Sequence, residues 1–305
     1  MTVFPKVSVV VPTRRATAAA ARAIRSVLEQ DYGGEIECIV VVDDDEGPRA
    51  LPGRDHMPGR SVRLLAARAA NAAAARNAGA EAASGELLAF CDDDDEWLPH
   101  KLRVQVAALG KSGRAVSTCG INIWHRGRMV SRLPAHELVV FADLVRSRLA
   151  DMHTSTIVVA RDEFLGAIGP FDEDIPASYG EDYEWLLRAA RRDAIRTVRR
   201  PLVNVYWAGD SYFQGRWGDS IRAHRYLLDK HPQLERDPAG RARIYGQIAF
   251  ACAASGRTRD SWSWTQRCLA SDWRQPRGYL ALAASVRLLP PDLLLRALRL
   301  AGRGV

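Results

Sequence analysis

The hydrophobic positions in the first hundred residues alternate between short, mainly apolar runs and stripes with helical spacing. The short runs predict four buried strands, at 7–11, 36–42, 62–65 and 87–90. The stripes predict two helices, from Ala16 to about Tyr32 and from Ala66 to Ala83. Strands that alternate with helices indicate an α/β fold with a doubly wound, mostly parallel sheet, whose ligands bind beyond the carboxyl ends of the strands.

Beyond residue 100 the pattern is less regular. It predicts strands at 116–123 and 155–159 and helices at 137–148 and 183–191. After residue 206 only helical stripes follow, at 217–230, 239–254, 259–270, 278–289 and 291–300. We therefore expect an α/β domain at 1–206 and a C-terminal helical region at 207–305.

Carboxylates follow two of the predicted strands. Asp43 and Asp44 come after the second strand, and four consecutive aspartates, 92–95, come after the fourth. Four like charges repel one another unless a cation lies among them, and Mg²⁺ or Mn²⁺ suits this place because hard ions prefer carboxylate oxygens. Acidic clusters are also typical of solvated turns. The run itself therefore leaves a metal site and a solvated turn as alternatives.

Composition narrows the class of protein. Of the 305 residues, 47% are hydrophobic and 26% are charged, which is typical of a globular chain. The formal charge of +7 suits an anionic substrate, an anionic membrane surface or nucleic acid. Nucleic acid is not expected, because the sequence carries no zinc-finger spacing and no aromatic-rich basic module. Five scattered cysteines, no leader pattern and no apolar run of membrane-spanning length predict a cytoplasmic protein.

Several short motifs, through their order and spacing, resemble those of one family. The first half contains Val11-Pro12-Thr13, Val42-Asp43-Asp44, Ala75-Arg76-Asn77-Ala78-Gly79 and Asp92-Asp93-Asp94-Asp95-Glu96-Trp97. The second half contains Gly169-Pro170-Phe171-Asp172 and Glu181-Asp182-Tyr183-Glu184-Trp185. The segment from Val7 to about Val205 resembles the family 2 inverting glycosyltransferases, which have the GT-A fold of nucleotide-diphospho-sugar transferases.

The resemblance implies a role for each matching position. A nucleotide-sugar half, at about 1–100, would bind the donor through Pro12, Thr13, Asp44, Arg76, Asp92 and Asp93. Asp94 would hold Mn²⁺ or Mg²⁺, and Asp182, beside Glu181, would be the catalytic base. An acceptor half, at about 101–206, would bind a hydroxyl of a growing glycan, a lipid-linked saccharide or a small natural product.

Three departures from the family pattern bear on the identity of the nucleotide. Asp45-Glu46-Gly47 stands where the family usually has Gly-Ser, and Arg14-Arg15 stands where it usually has Tyr-Asn. Asn71 replaces the glycine expected five residues before Arg76. UDP is the favoured nucleotide, with dTDP as the second candidate.

The chemistry of sugar transfer requires the same residue types. Negative charge develops on the leaving diphosphate, which a metal offsets, and the acceptor hydroxyl must give its proton to a nearby carboxylate. One base without an obvious second nucleophile predicts a single displacement with inversion. Glu181 and Asp182 also lie where carboxylates stabilise the start of a helix, so a structural role for the pair stays open.

Four further features have two interpretations each. Arg76 meets a phosphate or ribose, or lies on the solvent face of its helix. His153 lines the sugar pocket or is structural, and Trp207 contacts the acceptor or packs on the surface. The helix at 291–300, in which leucines alternate with arginines, packs on the protein or lies on the inner face of an anionic membrane.

Two other functions are compatible with the sequence. A sugar nucleotidyltransferase would use a related sheet, although the lack of a Gly-rich loop after the first strand counts against it. A catalytically silent nucleotide-sugar-binding scaffold would keep the donor site and not need Asp182 as a base.

Overall fold

A computed structural model describes residues 4–15, 17–42, 57–149, 151–207 and 215–286 of the chain. The chain forms two compact units. The first consists of Met1–Phe141, Leu149–Glu173 and Glu181–Gly209, and the second of Ala142–Arg148, Asp174–Gly180 and Asp210–Val305. Two short segments of the first two hundred residues thus belong to the second unit.

The first four strands form a parallel sheet in the order β3-β2-β1-β4. They are β1 (Val7–Thr13), β2 (Ile36–Val42), β3 (Arg60–Ala66) and β4 (Leu87–Phe90). All four predicted strands are confirmed, and the first is longer than expected, because it runs through Pro12. The pairing with β4 ends at Val10, so Pro12 follows the end of that ladder, where a residue without an N–H is tolerated.

The sheet continues beyond β4 with strands of both directions. They are β5 (Glu96–Trp97), β6 (Val116–His125), β7 (Arg128–Arg132), β8 (Leu138–Val139), β9 (Val158–Ala160) and β10 (Ile195–Tyr206). The antiparallel strand β9 lies between β4 and β6, and β10 runs parallel to β6. Because two reversals cancel, β6 and β10 run in the same direction as β1 and β4, and their carboxyl ends lie at the same edge of the sheet.

The helices that follow β1, β3 and β5 are α1 (Ala18–Leu28), α2 (Ala72–Ala82) and α3 (Lys101–Ser112). The Asn71 side chain accepts a hydrogen bond from the Ala74 N–H at 3.0 Å and begins α2. The predicted start of this helix at Ala66 is therefore wrong, since Ala66 is the last residue of β3. A side chain at Gly79 would collide with Val10, so this glycine lets α2 pack directly on the sheet.

Between β8 and β10 lie α4 (Phe141–Arg146), α5 (Arg161–Leu165) and α6 (Glu181–Arg192). The predicted helix at 137–148 is wrong in its first part, because Leu138 and Val139 pair with β10 as β8. The predicted strand at 155–159 is also partly wrong. Residues Thr154–Thr156 form a 3₁₀ turn, and only Val158–Ala160 pair with the sheet.

Beyond residue 210 the second unit contains four α-helices among its described residues: α7 (Trp217–Lys230), α8 (Pro238–Ala254), α9 (Thr258–Ser271) and α10 (Pro276–Ser285). The first three predicted helices of this region are confirmed, and the fourth begins and ends earlier than predicted. The predicted helix at 291–300 lies outside the described residues. Within the described part, every helix is too short or too polar to span a bilayer.

His224 gives the second unit a pH-dependent stability. The side chain is 5% exposed, its Nδ1–H donates to the Ser220 carbonyl oxygen at 2.7 Å, and its ring packs on Tyr179. Burial, with a contribution from the nearby charge of Arg243, lowers the pKa of His224 to about 4. An unfolded histidine titrates near its ordinary value, so the folded state binds fewer protons between about pH 6.5 and 4.

We therefore expect acid to weaken the folded state through this one group. Its contribution is complete above about pH 6.5 and declines by about 3 kcal/mol as the pH falls to 4. The measurement is urea unfolding of the wild type and His224→Gln at several pH values. The difference in unfolding free energy between them should narrow by about 2–3 kcal/mol between pH 7 and 4.5. A difference that does not change with pH contradicts the prediction, and the exposed His100→Gln serves as the control.

Candidate active site

The carboxyl ends of β1 and β4 bring two predicted donor-binding segments together. Thr13 ends β1 and is 5% exposed, and its hydroxyl donates to Oδ2 of Asp93 at 2.6 Å. Pro12 precedes it in the same strand. Asp44, the remaining predicted contact to the base, lies outside the described residues.

Arg76 links the aspartate run to α6. One terminal nitrogen donates to Oδ1 of Asp92 at 2.7 Å, and the other donates to Oε1 of Glu181 at 2.8 Å. Burial opposes the charge of this guanidinium, but Asp92 and Glu181 outweigh it and raise the pKa of Arg76. The side chain is 6% exposed, so the solvent-face interpretation is wrong. Whether Arg76 also meets a phosphate stays a prediction.

Helix α2 holds Arg76 in place through the next residue. The Asn77 side chain accepts from the Phe171 N–H at 2.9 Å and donates to the Phe171 carbonyl oxygen at 2.8 Å. This pair of hydrogen bonds fixes α2 to the segment that leads into α6. Arg76 and Asn77 thus explain why the Ala-Arg-Asn motif lies near the acidic pair in space.

A second group of side chains gathers around Asp95. Asp92, Asp95 and His153 have oxygen or nitrogen atoms that all lie within 4.8 Å of one another. Nδ1 of His153 lies 3.3 Å from Oδ2 of Asp95, and the Ser155 hydroxyl donates to the same oxygen at 2.5 Å. The Asp92 N–H donates to the Ser155 hydroxyl oxygen at 3.0 Å. Three polar contacts therefore fix the turn that the aspartates form.

The charges of this cluster are strongly perturbed. Burial, together with Asp92 and Asp93, raises the pKa of Asp94 to about 6. Burial is also the main reason why the pKa of Asp95 rises to about 7. Burial lowers the pKa of His153, but the carboxylates around it outweigh this effect and raise it overall. Carboxylates crowded in this way repel one another when all of them are ionised. A bound cation would relieve this repulsion.

Of the predicted site residues, His153 and Asp94 differ in their relation to the carboxylate cluster. His153 lies in the carboxylate cluster, whereas the Asp94 carboxylate is not part of the three-residue group; its backbone oxygen accepts from Arg22 at 2.9 Å. Asp182 lies in the first turn of α6, is 8% exposed, and accepts from the Tyr183 N–H at 2.7 Å. That contact suits a helix-start role, and the base role stays a prediction.

Trp207 lies at the end of β10. Its N–H donates to the Trp124 carbonyl oxygen at 2.8 Å, and the Arg132 guanidinium lies 5.7 Å from its ring centroid. The ring packs half-buried against the core of the first unit. These contacts fit the packing interpretation, and a role in binding acceptor stays a prediction.

Neither Asp95 nor Ser155 was predicted individually as a site residue, although Asp95 belongs to the aspartate run that predicts a possible metal site. Asp95 could have been found as the fourth acid of the run, since it is the most buried of the four. Ser155 gave no signal, because its partners are about sixty positions away and only the fold joins them.

Comparisons with known proteins agree on one family. Residues 8–151 match the family described as Glycosyl transferase family 2. One relative is the Escherichia coli UDP-Glc:alpha-D-GlcNAc-diphosphoundecaprenol beta-1,3-glucosyltransferase WfgD. The two sequences are 28% identical over 181 residues, and the alignment covers 59% of this chain and 68% of WfgD. Another relative is the amylovoran biosynthesis glycosyltransferase AmsB of Erwinia amylovora. It is 26% identical over 245 residues, and the alignment covers 75% of this chain and 79% of AmsB.

Solved structures show the same fold. Residues 1–349 of S. aureus TarS in complex with UDP-GlcNAc align with a TM-score of 0.61 at 15% identity, over 98% of this chain and 92% of that chain. The Pyrobaculum calidifontis mannosyltransferase PcManGT, in complex with GDP-Man and Mn²⁺, aligns with a TM-score of 0.53 at 20% identity. The alignment covers 97% of this chain and 80% of PcManGT.

The fold and the acidic strand ends, taken with these similarities, define a sugar-transferring enzyme of the GT-A class. Over residues 8–151 the chain has the sequence pattern of glycosyltransferase family 2, and the named relatives that align with more of the chain are glycosyltransferases.

Proposed function

We propose that this enzyme transfers a sugar from a nucleoside-diphosphate sugar to an acceptor hydroxyl with inversion, and that it depends on Mn²⁺ or Mg²⁺. The observation that carries the proposal is the position of Asp92. It belongs to the Asp92, Asp95 and His153 cluster and is joined through Arg76 to Glu181, the neighbour of Asp182. A donor site and a base would thus be tied together by one buried arginine.

The side chains present fit a hard divalent ion. Asp92, Asp95 and His153 offer two carboxylates and an imidazole, and Asp94 adds a carboxylate beside them. In this proposal Asp94 is the principal ligand and the three-residue cluster supports it. The bound ion would stabilise the charge that develops on the leaving diphosphate.

UDP is the proposed nucleotide, with dTDP as the second candidate. The name of WfgD specifies UDP-Glc, and TarS was solved with UDP-GlcNAc, whereas PcManGT was solved with GDP-Man. The base would lie against Pro12, Thr13 and Asp44, the ribose or diphosphate against Arg76, and the ribose or sugar against Asp92 or Asp93. Thr13 and Asp93 are already joined by a hydrogen bond, which supports one continuous donor site.

Asp182 is the proposed base, and Glu181 positions it. Glu181 accepts a hydrogen bond from Arg76 at 2.8 Å, which fixes the start of α6 where Asp182 is the next residue. Asp182 would accept the proton of the acceptor hydroxyl as that oxygen attacks the sugar carbon. One displacement by one nucleophile inverts the configuration at that carbon.

The proposed acceptor is a glycan, a lipid-linked saccharide or a small natural product. The lipid-linked saccharide is supported by the name of WfgD, whose acceptor is a GlcNAc-diphosphoundecaprenol. His153 and Trp207 are the proposed acceptor contacts. The enzyme would act in the cytoplasm, in peripheral contact with the inner face of the membrane through the segment 291–300, which lies outside the described residues.

The test is a turnover assay with UDP-glucose, UDP-GlcNAc, UDP-galactose and dTDP-rhamnose, with and without Mn²⁺. A synthetic lipid-diphospho-GlcNAc and a set of methyl pyranosides serve as acceptors. We expect metal-dependent release of UDP or dTDP and a product of inverted anomeric configuration by NMR. Retained configuration, or turnover that ignores the metal, overturns the proposal, and so does the absence of turnover with every donor.

A further inference from the structure

A face of the sheet beside the aspartate run has a regular pattern of side chains that the roles above do not use. On four neighbouring strands, residues in register form a polar row, which consists of Glu96 on β5, Asn204 on β10, Asn122 on β6 and Ser131 on β7. Residues directly opposite each other on paired strands share a face of the sheet. The polar row therefore crosses one face of the first unit.

Hydrogen bonds join the whole polar row. Ser131 donates to Asn122 at 2.7 Å, Asn122 donates to Asn204 at 3.1 Å, and Asn204 donates to Oε2 of Glu96 at 2.9 Å. The other carboxylate oxygen of Glu96 accepts no hydrogen bond from the described residues. It is therefore available to a hydroxyl of a ligand.

A second row lies two residues away from the polar row on three of these strands and is aromatic and apolar. It consists of Tyr206 on β10, Trp124 on β6 and Met129 on β7, again in register. The rings of Tyr206 and Trp124 lie 6.4 Å apart between centroids and are nearly parallel, at 17°. Both rings are half-buried, and Met129 is 49% exposed. This face thus presents a flat apolar strip to solvent beside a row of hydrogen-bonding groups.

The two rows adjoin the aspartate run. Glu96 directly follows Asp95, and the Tyr206 hydroxyl donates to Glu96 at 2.6 Å. Arg22 lies with its guanidinium 4.3 Å from the Tyr206 ring centroid and donates to the Asp94 carbonyl oxygen. A ligand on this face would therefore lie next to the donor site that we propose.

We infer that this face binds the acceptor as a neutral pyranose, an inference that rests on the proposed function. A pyranose has an apolar face of C–H groups, which suits the Trp124 and Tyr206 rings, and hydroxyls at its rim, which suit Glu96 and the amides. Glu96 brings one negative charge to this face, and Arg22, whose guanidinium lies on the Tyr206 ring, brings one positive charge, so these two groups together do not select an anionic sugar.

The experiment is saturation-transfer NMR with the methyl pyranosides of glucose, galactose, N-acetylglucosamine and mannose. The protein is held saturated with UDP and Mg²⁺. We expect at least one pyranoside to bind through its C–H face. The signal should fall by about fivefold or more in Trp124→Ala and persist in Trp124→Phe, which keeps an aromatic face.

Met129 and Val130 provide a matched pair of control variants. They are neighbours on β7 with nearly equal exposure, 49% and 48%, but alternation places them on opposite faces. Met129→Ala should weaken the signal by about twofold or more, and Val130→Ala should leave it unchanged. The inference is overturned if no pyranoside binds, if Trp124→Ala binds as the wild type does, or if Val130→Ala loses as much as Met129→Ala.

Calorimetry of UDP with Mg²⁺ on the same variants separates this inference from the proposed function. Normal UDP binding with no pyranoside signal overturns the acceptor site alone. If neither UDP nor dTDP binds to the wild type in the same measurement, the proposed function is overturned. The aromatic face would then have to be explained without a donor beside it.

Discussion

Replacing Asp182 with asparagine is expected to lower the rate of sugar transfer by about 10²–10⁴-fold, the usual contribution of a general base. Asparagine keeps the size of the side chain and can still accept from the Tyr183 N–H, so the start of α6 should persist. Binding of the nucleotide should change little, because the proposed donor contacts do not include Asp182. The measurement is the transfer rate at saturating donor, with the nucleotide affinity determined by calorimetry.

The structural interpretation of Asp182 predicts a different result. A carboxylate that only stabilises a helix start contributes about 0.3–1 kcal/mol to stability and nothing to the rate. Asp162→Asn, in the first turn of α5 and fully exposed, is the matched control. Transfer by Asp182→Asn at more than about a tenth of the wild-type rate would exclude Asp182 as the base.

Replacing Arg76 with methionine is expected to lower the free energy of unfolding by about 3–5 kcal/mol. The change removes the cation from Glu181, which is buried, and from Asp92, whose side chain is 21% exposed, and leaves their charges uncompensated. Urea unfolding followed by tryptophan fluorescence measures the effect. Nucleotide binding should also weaken, because Asp92 loses the contact that orients it.

Two comparisons make the Arg76 result specific. Arg114→Met removes an exposed ion pair with Asp193 and should cost about 1 kcal/mol or less. Adding Glu181→Gln to Arg76→Met removes one of the uncompensated charges and should restore part of the lost stability. A loss below about 1 kcal/mol in Arg76→Met would show that the buried pairs do not hold the site together.

The sequence predicted the parts of the fold that depend on local pattern. Strand β2 matches the prediction at both ends because its seven residues are all buried and all but Glu37 are apolar. The helices α7 to α9 were also predicted from local pattern, since their apolar stripes are long and regular. The motif order also located Arg76, Asp92 and Glu181, although not the contacts between them.

The remaining features depend on contacts between distant positions. Leu138 and Val139 have a helical pattern, but pairing with Ile195 and Arg196 makes them a strand. The start of α2 was set by the Asn71 cap rather than by the alanines before it. Ser155 joined the aspartate turn only through the fold. The polar and aromatic rows likewise arise from the register of four strands, which no local pattern specifies.

The most direct test of the donor site is calorimetric titration with UDP, dTDP, GDP and CMP, each with and without Mn²⁺. The titrations are repeated on Asp94→Ala, with Asp162→Ala as the control. We predict that UDP binds best, that it needs the metal, and that Asp94→Ala weakens it by about 10–100-fold while the control does not. If no nucleotide binds, or if binding ignores both Mn²⁺ and Asp94, the aspartate run is not a metal-phosphate site and the account is contradicted.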